Sequence, residues 1–156
     1  MMKRGYMKYK LRKDLKRIVN KTTLYQIQRI SNGEFGGYIQ DEYNLSQKGN
    51  AWVSGDAQVY GGAWVYGDAR VSGNAQVYGN AWVATKSDLI NVIVGTGFSI
   101  TVTKYNVVIG CKLFTHEEVL KISKKQARVL GLEREHYSFY KTIIKQLIKQ
   151  MKDNKK

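Results

Sequence analysis

The chain has no proline, one cysteine (Cys111) and two histidines (His116 and His136) among its 156 residues. The lack of proline argues against extended linkers of the proline-rich kind. A single cysteine rules out disulfide scaffolding, and its place in the apolar run VVIGC predicts a reducing, cytoplasmic setting. No apolar stretch reaches the length of a membrane span, and no signal-peptide core follows the basic N-terminus. Acidic residues are also scarce: 12 Asp and Glu stand against 26 Lys and Arg, a formal charge of +14.

That charge is unevenly placed. Residues 1–21 carry nine basic side chains, Lys3, Arg4, Lys8, Lys10, Arg12, Lys13, Lys16, Arg17 and Lys21, against Asp14 alone. Residues 141–156 carry six lysines, among them Lys141, Lys145 and Lys149, against Asp153. Between Thr22 and Gly110, five basic residues meet six acidic ones. Cations gathered on particular elements are the electrostatic footprint of a polyanion binder. The plainer reading is a solvated surface, and it applies most to the C-terminal lysines.

From Gly49 to Ala84 the chain repeats every six residues: GNAWVS, GDAQVY, GGAWVY, GDARVS, GNAQVY, GNAWVA. Such a short period sets architecture before any propensity argument. Ala and Val lie two apart in each hexad, so they share one strand face and predict a narrow interior. At Ala69, a leucine would overpack that interior at a cost of about 1–3 kcal/mol. The residues between them, Trp52, Gln58, Trp64, Arg70, Gln76 and Trp82, point outward. The Gly-led pairs before each Ala supply corners. Ile39 and Leu45 fall in phase with the Ala positions, which predicts an additional degenerate turn from about Gly36.

This pattern resembles the hexapeptide-repeat left-handed β-helix proteins. With the leader segments MKYKL and KTTLYQIQRI and the run GEFGGYIQDEYNLS, it is similar to uncharacterised bacterial and prophage proteins with GNAxV(Y/S) repeats. The resemblance covers almost the whole chain, although the leader is not notably basic in that family. It implies a mainly β fold: a short left-handed β-helix, with an N-terminal β element and a C-terminal β-meander plus two-helix α+β module. The expected divisions are 1–35, 36–86 and 87–156. Residues eighteen apart would stack, Trp64 on Trp82, Tyr60 on Tyr78, Gln58 on Gln76 and Trp52 on Arg70. Family members often form trimers, so a homo-oligomer is an implied partner.

The flanks carry their own signals. Residues up to Val19 fit either a helix, with Met7, Leu11, Leu15 and Ile18 in a stripe, or strands ending in an Asn20-Lys21 turn. LINVIV, FSITVT and VVIGC read as three strands, separated by Gly95-Gly97 and Lys104-Tyr105-Asn106. Thr115-His116-Glu117-Glu118 is a capping box that predicts a helix to about Leu130, stopped by Gly131. A second, amphipathic helix is expected from about Tyr137 to Lys152.

Catalytic signals are missing. The resemblance brings in acyltransferases and zinc carbonic anhydrases, yet two histidines do not make a three-histidine site, and the repeat holds neither His nor Cys. His116 lies in a helix cap and His136 precedes a helix. Gly95-Thr96-Gly97 reads as a turn and not a phosphate loop, and Asp56 and Asp68 sit at corners. No metal or cofactor is expected.

Binding is the expected function class. The candidate polyanion-binding residues are Lys8, Lys10, Arg12, Lys13, Lys16, Arg17, Lys141, Lys145 and Lys149. The candidate aromatic surface is Trp52, Trp64, Trp82, Tyr60 and Tyr78, with packing or laddering of these rings as the alternative. The expectation is a non-catalytic phage or prophage-type protein that engages nucleic acid or a host complex handling it. One form is an inhibitor of bacterial defence of the anti-CRISPR kind. The alternatives are an acyltransferase with a site between subunits and a structural scaffold oligomer.

Overall fold

Asn20 and Lys21 decide the form of the N-terminal segment. Their φ angles are 48° and 63°, the left-handed pair that a two-residue hairpin turn requires. The computed structural model describes residues 6–94, 98–110, 112–130 and 137–153. Lys3, Arg4, the Gly95-Thr96-Gly97 turn, Cys111, the helix stop at Gly131 and His136 lie outside the described residues. Two units make up the chain, Met1–Lys86 and Ser87–Lys156.

In the first unit the hairpin joins β1 (Tyr9–Val19) to β2 (Thr22–Arg29), paired antiparallel from Val19–Thr22 to Tyr9–Arg29. The helical reading of this segment is overturned. Leu15 and Ile18 are exposed, so their stripe has nothing to pack on, while β2 offers an extended partner rich in Thr, Tyr and Ile. The ladder skips from Arg12–Gln26 to Lys16–Tyr25, leaving Lys13, Asp14 and Leu15 as a bulge on β1.

Strand β3 (Phe35–Ile39) follows antiparallel to β2. The hexads then give six two-residue strands: β4 (Trp52–Val53), β5 (Gln58–Val59), β6 (Trp64–Val65), β7 (Arg70–Val71), β8 (Gln76–Val77) and β9 (Trp82–Val83). The Ala and Val of every Ala-x-Val unit are fully buried. The corner glycines 49, 55, 61, 67, 73 and 79 all have φ between 62° and 75°.

The left-handed β-helix expected as the fold class is corrected by the sheet topology. The described residues form four small sheets of two to five strands, together with three helices. The largest sheet has the order β1-β2-β3-β5-β8, so it joins the hairpin to two hexad strands, while β4 pairs with β7 and β6 with β9 in two-stranded sheets. The physical reason is the brevity of each hexad strand: two residues hold few hydrogen bonds, and the neighbouring hairpin extends one row into a mixed sheet.

The phase of the segment before the repeat also differs from expectation. Ile39 aligns with Val59 and Leu45 with Val65, the Val positions and not the Ala positions. The loop 46–50 accounts for the difference, because Leu45 and Val53 are eight residues apart where the hexads keep six.

The second unit begins with an antiparallel sheet of four strands where three were expected: β10 (Leu89–Val94), β11 (Phe98–Thr103), β12 (Val107–Ile109) and β13 (Lys112–Phe114). Three residues of β13 are too few to show a pattern. The single helix expected to about Leu130 is two helices, α1 (His116–Leu120) and α2 (Lys124–Val129), each opened by its own capping box. Ser123 and Gln126 form the second box and restart the chain after α1. In α3 (Tyr137–Asp153), Tyr140, Ile144, Leu147, Ile148 and Met151 pack in the core with Ile100, Val102, Val107 and Ile109. Among the described residues no helix is long and apolar enough to cross a membrane.

Candidate functional site: a basic edge strand

β1 is an edge of the five-stranded sheet, and the expected cations on it separate into two kinds. Lys10, Lys13 and Lys16 are exposed, and Lys13 and Lys16 have no ion-pair partner among the described residues. The arginines are tied down. Arg12 forms a fork on Asp14 at 2.6 and 2.9 Å, donates to Gln28 Oε1 at 3.0 Å and lies 5.5 Å from the Phe35 ring centre. This hydrogen bonding raises the Arg12 pKa and lowers that of the Asp14 carboxyl. Arg17 stacks 4.1 Å over Tyr38 and reaches Asp56 at 3.3 Å.

Lys8 turns inward from the exposed set. Its ammonium donates to the Ala51 carbonyl at 2.7 Å, with the Gly49 and Lys48 carbonyls at 3.4 and 3.5 Å. Burial, with the nearby charges of Arg29 and Arg70, pushes its pKa down to about 8.

Two of the five expected surface aromatics belong to the core instead. Trp52 is 3% exposed and Tyr60 is 4% exposed. The hairpin covers both: Tyr9 meets Trp52 edge-on at 6.4 Å, Arg29 lies 4.0 Å over its ring, and Asn20 donates to the Tyr60 hydroxyl at 3.0 Å. Tyr60 also stacks on Tyr78, which is half-buried, at 4.6 Å. Trp64, likewise half-buried, stacks on Tyr66 at 4.0 Å and meets Trp82 edge-on at 5.7 Å. Only Trp82 among the five is well exposed, at 44%.

On α3 of the second unit, Lys141, Lys145 and Lys149 are exposed opposite the buried face, with Lys141 5.6 Å from the Tyr137 ring centre. His116 donates from Nε2 to the Thr103 carbonyl at 2.7 Å, which commits one ring nitrogen to structure. At the corners, Asp56 pairs with Arg17 and Asp68 accepts from Asn50 at 3.2 Å. Among the described residues no group of three or more His, Cys, Asp or Glu is placed to hold a metal ion.

Sequence reasoning missed the part played by Arg29. Its signal was limited to an alternating strand pattern that ends in a cation, with Glu34 five residues on and 3.0 Å away in space. No protein-family model matches the chain, and no curated protein matches it.

Proposed function

We propose that the chain is a non-catalytic binding protein of phage or prophage type, which engages a polyanion or a host complex that handles nucleic acid. One observation carries the reading: an eleven-residue edge strand presents Lys10, Lys13 and Lys16, while its only acid, Asp14, is already neutralised by Arg12. Long-range attraction to phosphate needs only such a strip of unpaired cations. Inhibition of a bacterial defence complex, in the anti-CRISPR manner, is the form of this proposal in which the strip occupies a cleft for RNA or DNA. The non-catalytic part draws support from His116, whose ring is held by a backbone carbonyl.

The test is the salt dependence of binding to a duplex oligonucleotide, with Lys10, Lys13 and Lys16 all changed to Ala. Each lost phosphate contact lowers the slope of log K against log salt by about 0.9, so the triple variant loses between about 2 and 3. These lysines are exposed, which separates binding from folding. Unchanged affinity and unchanged slope would overturn the proposal. Capture from bacterial lysate after nuclease treatment then distinguishes a protein complex from free nucleic acid.

A further inference from the structure

Three cations from distant parts of the first unit are placed near Trp52, one of them over its ring. Lys8 reaches the carbonyl of Ala51, next to Trp52 in the chain. Arg29 lies 4.0 Å over the Trp52 ring, and Arg70 is the residue paired with Trp52 across the β4–β7 ladder. Against these three stands one carboxylate, Glu34, which takes the Nε of Arg29 at 3.0 Å. Both Nη groups of Arg29 are left without a hydrogen-bond partner among the described residues, and so is the exposed guanidinium of Arg70. The indole Nε1–H of Trp52 is buried and has no acceptor among the described residues.

Like charges do not gather this way without cost, and a carboxylate that satisfies one nitrogen of three cations leaves positive charge over. What the cluster lacks is an anion with several oxygens. Planar guanidinium forks match a tetrahedral phosphate better than a single carboxylate, because each arginine can take a separate oxygen, while the carbonyl-held Lys8 ammonium contributes charge alone.

We infer that Lys8, Arg29 and Arg70 around Trp52 form a phosphate-binding subsite, which takes one phosphate group of a bound nucleic-acid strand. This rests on the polyanion reading above and gives it a second, fixed contact: the β1 lysines attract the strand, and the subsite seats one phosphate of it. The Lys8 ammonium, held on the Ala51 carbonyl, adds its positive charge beside the arginines.

The experiment follows the side-chain N–H signals of Trp52, Arg29 and Arg70 in two-dimensional NMR of the full chain. The probes are inorganic phosphate, then an oligothymidylate with and without a 5′-phosphate. Arg70→Gln is the first variant, because Arg70 makes no hydrogen bond or ion pair among the described residues and its loss leaves the fold intact. The expected result is a saturable shift of the three signals in the parent, and in Arg70→Gln a shift of the remaining Trp52 and Arg29 signals with affinity about tenfold weaker, as for loss of one charge-assisted contact. Response to the oligonucleotide but not to inorganic phosphate assigns the site to a strand, and dependence on the 5′-phosphate assigns it to a strand end. No saturable shift with any probe, or an equal one in Arg70→Gln, overturns the subsite. The lysine triple variant keeps the two claims apart. If it loses oligonucleotide binding while Arg70→Gln binds normally, the subsite fails and the broader reading stands. If it binds normally too, both fail.

Discussion

Replacing Gly37 with alanine tests how the hairpin is joined to the repeat. A Cβ at this position would lie 2.6 Å from the Ala57 carbonyl oxygen and 2.7 Å from Val53 Cγ1, against an ordinary contact of 3.4 Å or more. The nearest obstacle is backbone, which cannot rotate aside. Strand β3 would have to move away from β5 by most of an ångström, across the hydrogen bonds from Tyr38 N to Ala57 O and from Gln40 N to Val59 O. Overpacking and one weakened backbone bond together cost about 2–4 kcal/mol, a fall in Tm of about 10–25 °C for a unit of this size. All three tryptophans lie in the first unit, so tryptophan fluorescence follows its melting alone. Gly33→Ala is the control. Its φ is +75°, but its nearest neighbour is a side-chain nitrogen at 3.7 Å, so only left-handed strain of about 1 kcal/mol is expected. If Gly37→Ala melts with the parent, or Gly33→Ala is the more damaging, the close-approach argument is refuted.

Lys8 makes the first unit's stability depend on pH. Its folded pKa of about 8 lies below the ordinary 10.5, so between those values the folded chain has shed a proton that the unfolded chain keeps. Stability therefore rises with pH across that window, by about 1 kcal/mol once solvent screening of a half-buried group is allowed for. Tyr9, raised above its ordinary 10.0 by burial, has the opposite effect, and its contribution begins to fall away above that pH. Urea midpoints at about pH 7.5 and about pH 9.5 should show the rise in the parent and none in Lys8→Met; a parallel rise in both would sink the assignment. In the second unit, Ser123→Ala removes the oxygen that accepts from Gln126 N at 3.2 Å. A loss of about 1 kcal/mol in the far-ultraviolet circular dichroism melt is expected, and an unchanged melt counts against a separate capping box for α2.

Local signals were the legible ones. The Ala-x-Val spacing marked the fully buried Ala and Val row of the repeat, because period and burial are the same fact on a two-residue strand. Asn20-Lys21 was readable as a turn, yet the helix alternative stayed open, since Met7, Leu11, Leu15 and Ile18 satisfy helical spacing and only the pairing with β2 decides. Ser123-x-x-Gln126 carried the same kind of signal as Thr115-x-x-Glu118 but was absorbed into one long helix. The sheet order was not legible, because nothing local tells β3 to add to β5 instead of ending the hairpin. For the same reason the exposure of Trp52 and Tyr60 was misjudged: their outward positions were right, and the hairpin that covers them begins more than twenty residues earlier. At the basic strip the charges were visible, but which cations are free depends on Asp14, Phe35, Tyr38 and Asp56, brought in by three different segments.

The pairing offset has a consequence for how this gene can change. Trp52 pairs with Arg70, Gln58 with Gln76 and Trp64 with Trp82, always eighteen residues along. An insertion of one such block leaves every pair facing the same kind of neighbour. A change of six residues keeps the Ala and Val interior unbroken but hands each outward side chain to a different sheet, so that tryptophan arrives where glutamine had been. An added step of three hexads would therefore lengthen the repeat while each outward face, including the row that carries Arg70, keeps its pairing.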